Sequence, residues 1–195
     1  MEDFLSVFIF TFSIMVLAEF GDKTNLIALS LMTKSKHPYR IALFSTIGIG
    51  LSTVISVLIG GIIGQNLPVN PIRYIAAAVF IVLGIISLRE EDEEKEEISE
   101  DTEKDKVPFY KPIYLVALAE FGDKSQLFAI TASASTSPLA VFLGSVLGMG
   151  TIMFLTAAFG SLFFEKFNRE TLEKLAAILF IVAGIWIAIS TFFEF

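Results

Sequence analysis

Residues 18–24 read Ala18-Glu19-Phe20-Gly21-Asp22-Lys23-Thr24, and residues 119–125 read Ala119-Glu120-Phe121-Gly122-Asp123-Lys124-Ser125. Each stretch sets two carboxylates and a lysine inside a run that is otherwise apolar enough to cross a bilayer. An ionisable residue at that depth costs roughly 2.5–3.5 kcal/mol on insertion scales, so it is rare unless it pairs or serves a pathway. Here the costly group occurs twice. On a continuous helix, Glu19 and Asp22 stand three apart and Glu19 and Lys23 four apart, which puts all three heads on one face. Glu120, Asp123 and Lys124 repeat the pattern.

The surroundings of the two stretches are apolar throughout. Of 195 residues 54% are hydrophobic and 20 are Phe, and the mean hydropathy is +0.73. Such a chain is too apolar for a soluble domain and reads as an all-α polytopic membrane protein. It has no cysteine, which removes disulfide frameworks and Cys-based zinc or iron–sulfur sites. His37 stands beside Pro38 in a short basic loop and reads as a turn residue. Met1-Glu2-Asp3 lacks the positive start of a cleavable signal, so the first apolar run is expected to remain as a spanning helix. The net charge of −7 is local in origin: residues 89–111 hold eleven acidic and five basic side chains, and the rest of the chain sums to only −1.

A spanning helix needs about 20 mainly apolar residues, and six are expected, near residues 4–32, 41–64, 72–88, 112–134, 139–164 and 171–193. They fall into a first three-helix repeat (1–88), an acidic linker (89–111) and a second three-helix repeat (112–195). The halves match beyond the two motifs. Pro38 answers Pro138, Gly48-Ile49-Gly50 answers Gly148-Met149-Gly150, and residues 76–85 (AAAVFIVLGI) answer 176–185 (AAILFIVAGI). Three spans per repeat is an odd number, so the second repeat is expected to thread the membrane in the opposite sense and bring both motifs to the midplane. Eleven of the fourteen basic residues fall in the loop after the first helix, in the linker, and between the fifth and sixth helices. The positive-inside rule then makes the linker cytoplasmic and places both termini outside.

Three features carry two readings each. The linker run Glu90-Glu91-Asp92-Glu93-Glu94-Lys95-Glu96-Glu97 is either a solvated segment or a cation-collecting surface. The glycines of the second and fifth helices either let helices approach closely or leave backbone carbonyls free beside the motifs, with Ser45, Thr46, Ser52, Ser145 and Thr151 adding oxygens. Gly21 and Gly122, between the Glu and the Asp, are either helical or mark a local break.

Four carboxylates from two antiparallel elements, Glu19, Asp22, Glu120 and Asp123, form an all-oxygen donor set. Such a set suits hard cations (calcium, magnesium, manganese) better than zinc or copper. Asn25 and Gln126, three residues beyond each Asp, add amide oxygens, and Thr24 and Ser125 add weaker hydroxyls. Mutual neutralisation is the plainer reading, yet four acids against Lys23 and Lys124 leave about two negative charges in low dielectric. One divalent cation or two protons would cancel that residue, and mutually exclusive occupancy by either is the thermodynamic basis of antiport. The lysines either hold the glutamates by i,i+4 pairing or swing into the emptied site.

The two signatures, Glu-Phe-Gly-Asp-Lys-Thr at 19–24 and Glu-Phe-Gly-Asp-Lys-Ser at 120–125, closely resemble the twice-repeated signature of the Gdt family of manganese/calcium transporters. The likeness extends over essentially the whole chain. It implies secondary transport of Mn²⁺, with Ca²⁺ as a second substrate, in exchange for protons, and gives Glu19, Asp22, Glu120 and Asp123 the ion site. On that basis no cofactor is expected, the metal being substrate. The partners are the ion, protons and the bilayer, without nucleic acid, and a homo-oligomer is compatible. The short chain looks like a prokaryotic plasma-membrane exporter. Two rivals are an exporter of a small organic solute such as a basic amino acid, and an intramembrane lipid-pyrophosphate phosphatase. The second wants an arginine or a nucleophile beside the phosphate, and the one arginine inside the expected spans, Arg73, stands at the very start of the third, outside the two motifs.

Overall fold

The computed structural model describes residues 4–20, 22–33, 35–89, 108–160 and 169–193. Among these residues the chain is helical and contains no strand. In order come α1 (Phe4–Ala18), α2 (Lys23–Thr33), α3 (Pro38–Asn66), α4 (Val69–Arg89), α5 (Tyr110–Glu120), α6 (Lys124–Ser135), α7 (Pro138–Phe159) and α8 (Arg169–Phe193). The acidic run at 90–97, Gly21, Lys34 and the side chain of Lys23 lie outside the described residues.

Among the described residues, four helical segments are long and apolar enough to cross a membrane: Pro38–Asn66, Val69–Ile86, Pro138–Phe159 and Lys174–Phe193. Their outward faces carry large apolar side chains such as Leu58, Ile62, Ile75 and Phe193, the surface expected of helices whose solvent is lipid. Pro38 and Pro138 open α3 and α7 at the first helical turn, where a missing N–H costs nothing. Residues 161–164 of the fifth expected span lie outside the described residues. α7 ends at Phe159 because Gly160 turns the chain at φ +55°.

The first and fourth expected spans are corrected more substantially. Neither is one continuous helix. α1 and α2 have 15 and 11 residues, and α5 and α6 have 11 and 12. The chain leaves the helix at the motif in both copies. In the second copy the reason is the glycine. Phe121 (φ −68°, ψ 111°) and Gly122 (φ +89°) take the two central positions of a type II turn, whose second residue must have positive φ. The turn closes with the Asp123 N–H donating to the Glu120 carbonyl at 3.2 Å, and Asp22 N–H donates to the Glu19 carbonyl at 3.3 Å in the first copy. The acids and lysine of one motif therefore do not share a helical face as expected.

Contacts between the halves come back with the roles exchanged. A Cβ added to Gly84 would sit 2.6 Å from the Ala177 carbonyl, and one on Gly184 would sit 2.7 Å from that of Ala77. Gly50 faces Val146 while Gly150 faces Thr46. In both pairs residue numbers rise along one helix as they fall along the other, so α4 runs antiparallel to α8 and α3 to α7. The half-helices lie end to end along the long helices of the other half. Gly48 abuts Ile113 of α5, and Gly60 and Gly64 abut Ile130 and Ala134 of α6. Gly144 and Gly148 seat Phe8 and Phe12 of α1 in the same way.

The packing of the half-helices is unequal. α6 lies broadly on α3 and also on α4, and α1 on α7 and α8, while α2 packs more sparsely on α3, α5 and α7. Phe80, Phe128 and Phe180, all buried, form the centre of the tighter end. Phe128 of α6 stacks on Phe80 at 5.1 Å and meets Phe180 edge-on at 5.7 Å. Such aromatic pairs each add about 0.5–1.5 kcal/mol beyond burial.

Candidate functional site

The two breaks face each other. Glu120 is the last residue of α5, and Glu19 follows α1 directly. Both glutamates therefore stand where helix carbonyls lack intrahelical partners and the helix dipole is negative. A cation is favoured at such a place. Both are also sealed from solvent, with relative exposures of 2% for Glu19 and 0% for Glu120.

Ser125 Oγ donates to Glu120 Oε2 at 2.7 Å, and Thr24 from the other motif reaches the same carboxyl group. Glu19 lies within hydrogen-bonding reach of Glu120. The remaining oxygen of each glutamate, Oε1, is buried without a hydrogen-bond partner. Asp22 and Asp123 both stand close enough to act electrostatically on the glutamates. Asp22 is buried and Asp123 half-buried. Lys124 crosses between motifs, its Nζ 3.7 Å from Asp22 Oδ1.

The two amides sit symmetrically. Asn25 Oδ1 accepts from Thr156 Oγ1 of α7 at 2.8 Å, and Gln126 Oε1 accepts from Ser56 Oγ of α3. Each amide thus ties a short helix to the long helix of the opposite half, which differs from the free ligand role expected for it. The sequence reading missed Ser56 and Thr156 altogether. The available signal was their hundred-residue offset, two hydroxyls at matching places on apolar helices. Ser45 and Ser145, another matched pair, are buried with unpartnered hydroxyls.

Among the described residues no three Asp, Glu or His side chains converge closely enough to hold an ion. The acids are neighbours, short of a closed shell. Hard-cation ligation takes six or more oxygens, so an ion here would draw on the Thr24 and Ser125 hydroxyls and on helix-end carbonyls as well.

Apolar helices with large apolar side chains on their outward faces, interrupted where acids from both motifs lie together in the interior, are the plan of a membrane transport protein. Comparison with known proteins makes the class specific. The family model described as "Divalent cation/proton antiporter GDT1" matches residues 7–95 and 108–194, and the chain belongs to that family. It is a family of transporters, not enzymes, in which metal ions are substrates and no cofactor is indicated.

Among relatives, GDT1-like protein 2, chloroplastic, of Oryza sativa subsp. japonica is 28% identical across 96% of this chain and 61% of its own length. GDT1-like protein 5 of the same rice is 26% identical, covering 87% of this chain and 88% of that one. GDT1-like protein sll0615 of Synechocystis sp. is 29% identical, covering 86% and 89%. The chain thus spans under two thirds of the first of these and most of the other two. No solved structure matches it.

Proposed function

We propose that the chain exports a divalent cation, Mn²⁺ first and Ca²⁺ second, from the cytoplasm in exchange for protons. The ion is held by Glu19, Asp22, Glu120 and Asp123, helped by Thr24 and Ser125. The observation that carries this reading is the pair of buried glutamates, one from each motif, each with a carboxyl oxygen that no side chain or backbone group satisfies. A buried unsatisfied oxygen costs about 1–3 kcal/mol and more when charged. A divalent cation supplies what both oxygens lack, and so do two protons, so the two loads exclude each other.

The discontinuous elements α1–α2 and α5–α6 complete six spans with α3, α4, α7 and α8, arranged as two inverted repeats of residues 1–88 and 112–195 around a cytoplasmic linker. Broken helices with facing ends at the midplane are the usual ion seat in such transporters. Antiparallel contacts between equivalent helices support that topology. Both termini then lie outside a prokaryotic plasma membrane. Asn25 and Gln126 keep their place in the site as residues that fix the short helices, with direct ligation open to them only once Thr156 or Ser56 lets go.

Purified protein in proteoliposomes, offered Mn²⁺, Ca²⁺ and Mg²⁺ separately with and without a pH gradient, tests the proposal. Mn²⁺ flux is expected, accelerated when the opposite side is acid and slowed when the metal's own side is acid, because protons then compete for the same oxygens. Asp22→Asn and Asp123→Asn are each expected to insert and lose transport. Normal Mn²⁺ flux in both would remove these residues from the site, and flux of a basic amino acid without metal would favour the organic-solute reading.

A further inference from the structure

Away from the acidic centre, a cavity of about 590 Å³ opens between α1, α4, α6 and α8, within the roughly 300–1,000 Å³ of ordinary ligand pockets. Its character changes with depth. One end is polar: Arg73 near the start of α4, Thr136 just past α6, and Ser190 near the end of α8. These residues belong at one level because α4 and α8 run antiparallel. The other end is apolar, with Phe80 of α4 and the α8 face through Val182 and Leu179. From Ser190 to Leu179 a helix rises about 16 Å.

A divalent cation does not fit this cavity. Its walls are mainly hydrocarbon and, among the described residues, its one charged lining side chain is an arginine, which repels cations and is the side chain best shaped for a phosphate. Arg73 has other interactions in the structure, but a guanidinium carries five donors and can serve both. Two further observations point to an occupant. Thr11, at 1% exposure, is one of the lining residues, and its hydroxyl has no partner. Trp186, at 72% exposure, stands in the cavity wall, in the manner of tryptophans at the membrane interface.

We infer that this cavity seats one anionic phospholipid, its phosphate on Arg73 and one acyl chain lying along α8 toward Phe80. The ligand is amphipathic in the same sense as the cavity, and it enters from the bilayer past Trp186. The inference is independent of which ion the acidic centre carries. Its consequence is mechanical: the lipid wedges the motif helices α1 and α6 against the α4–α8 pair.

The test uses the full chain in detergent, with native mass spectrometry for retained lipid and thermal unfolding for stabilisation. Phosphatidylglycerol, phosphatidylcholine and inorganic phosphate are added separately. Phosphatidylglycerol is expected to give a single retained adduct and the largest rise in unfolding temperature. Arg73→Gln is expected to weaken its retention about tenfold, the equivalent of about 1.4 kcal/mol, and to abolish its advantage over phosphatidylcholine. Arg73→Lys should restore part of that advantage. Val182→Trp, at a lipid-exposed position that tolerates bulk, should block retention of the chain while leaving Arg73 in place. Equal stabilisation by the two lipids, an undiminished preference in Arg73→Gln, or a full shift with inorganic phosphate alone would each overturn the inference.

Discussion

Lys124 of the second motif pairs with Asp22 of the first, at 3.7 Å and with both side chains largely buried. The contact joins the two halves at the site. A Glu120–Lys124 pair inside one motif would have depended on a helix running through residues 121–123, and the type II turn removes that helix. Removing one member of a buried pair leaves the other charge uncompensated. Lys124→Met is therefore expected to destabilise the protein by about 1–3 kcal/mol, and Asp22→Asn added to it should recover much of the loss. Thermal unfolding of the two single variants and the double variant forms the cycle that measures the coupling. Strict additivity would show that the two side chains do not interact.

Gly122 tests whether the break is built by the backbone. Nothing lies within 4 Å of a Cβ placed on it, so a substitution there meets only the positive φ. Gly122→Ala is expected to cost about 1–2 kcal/mol, and Gly122→Asn less, since Asn tolerates that region. Gly122→Val should be worst. Unfolding temperatures that do not follow this order would mean that the turn is held by something other than its glycine.

Much of this architecture was legible in the sequence because duplication leaves a record. The hundred-residue offset of Pro38 and Pro138, or of Gly84 and Gly184, announced paired helices before any coordinates, and the structure gives those glycines reciprocal contacts. The motif acids were legible because charge in an apolar run is costly. The helix breaks were not, since hydropathy averages over a turn of two residues, and a glycine inside an apolar run reads equally as packing. The Asn25–Thr156 and Gln126–Ser56 ties were hidden for another reason: each joins residues far apart in sequence, and period and spacing describe only neighbours.

The α4–α8 crossing gives a prediction about symmetry. Gly84 and Gly184 each press on the backbone of the other helix, at 2.6 and 2.7 Å for an added Cβ, far inside ordinary contact. Neither helix can yield by moving a flexible side chain. Gly84→Ala and Gly184→Ala are expected to destabilise by similar amounts, about 1–3 kcal/mol each as overpacking. The double variant should cost less than the sum, because the separation forced by one substitution makes room for the other. A large difference between the single variants in thermal unfolding would contradict the reciprocity.

The amide ties separate a positioning role from ligation. Thr156→Val removes the hydroxyl that occupies Asn25 Oδ1 and leaves a buried amide oxygen unpaired, at a cost of about 1–3 kcal/mol. If Asn25 serves by fixing α2, the variant should unfold at lower temperature and transport more slowly at saturating metal. Its apparent affinity should not improve. If Asn25 is instead a ligand restrained by Thr156, freeing its oxygen should tighten metal binding in the same variant. Ser56→Ala makes the parallel test for Gln126. Metal titrations followed by stabilisation of the purified protein distinguish the two outcomes, because affinity and unfolding temperature without metal are read in one experiment.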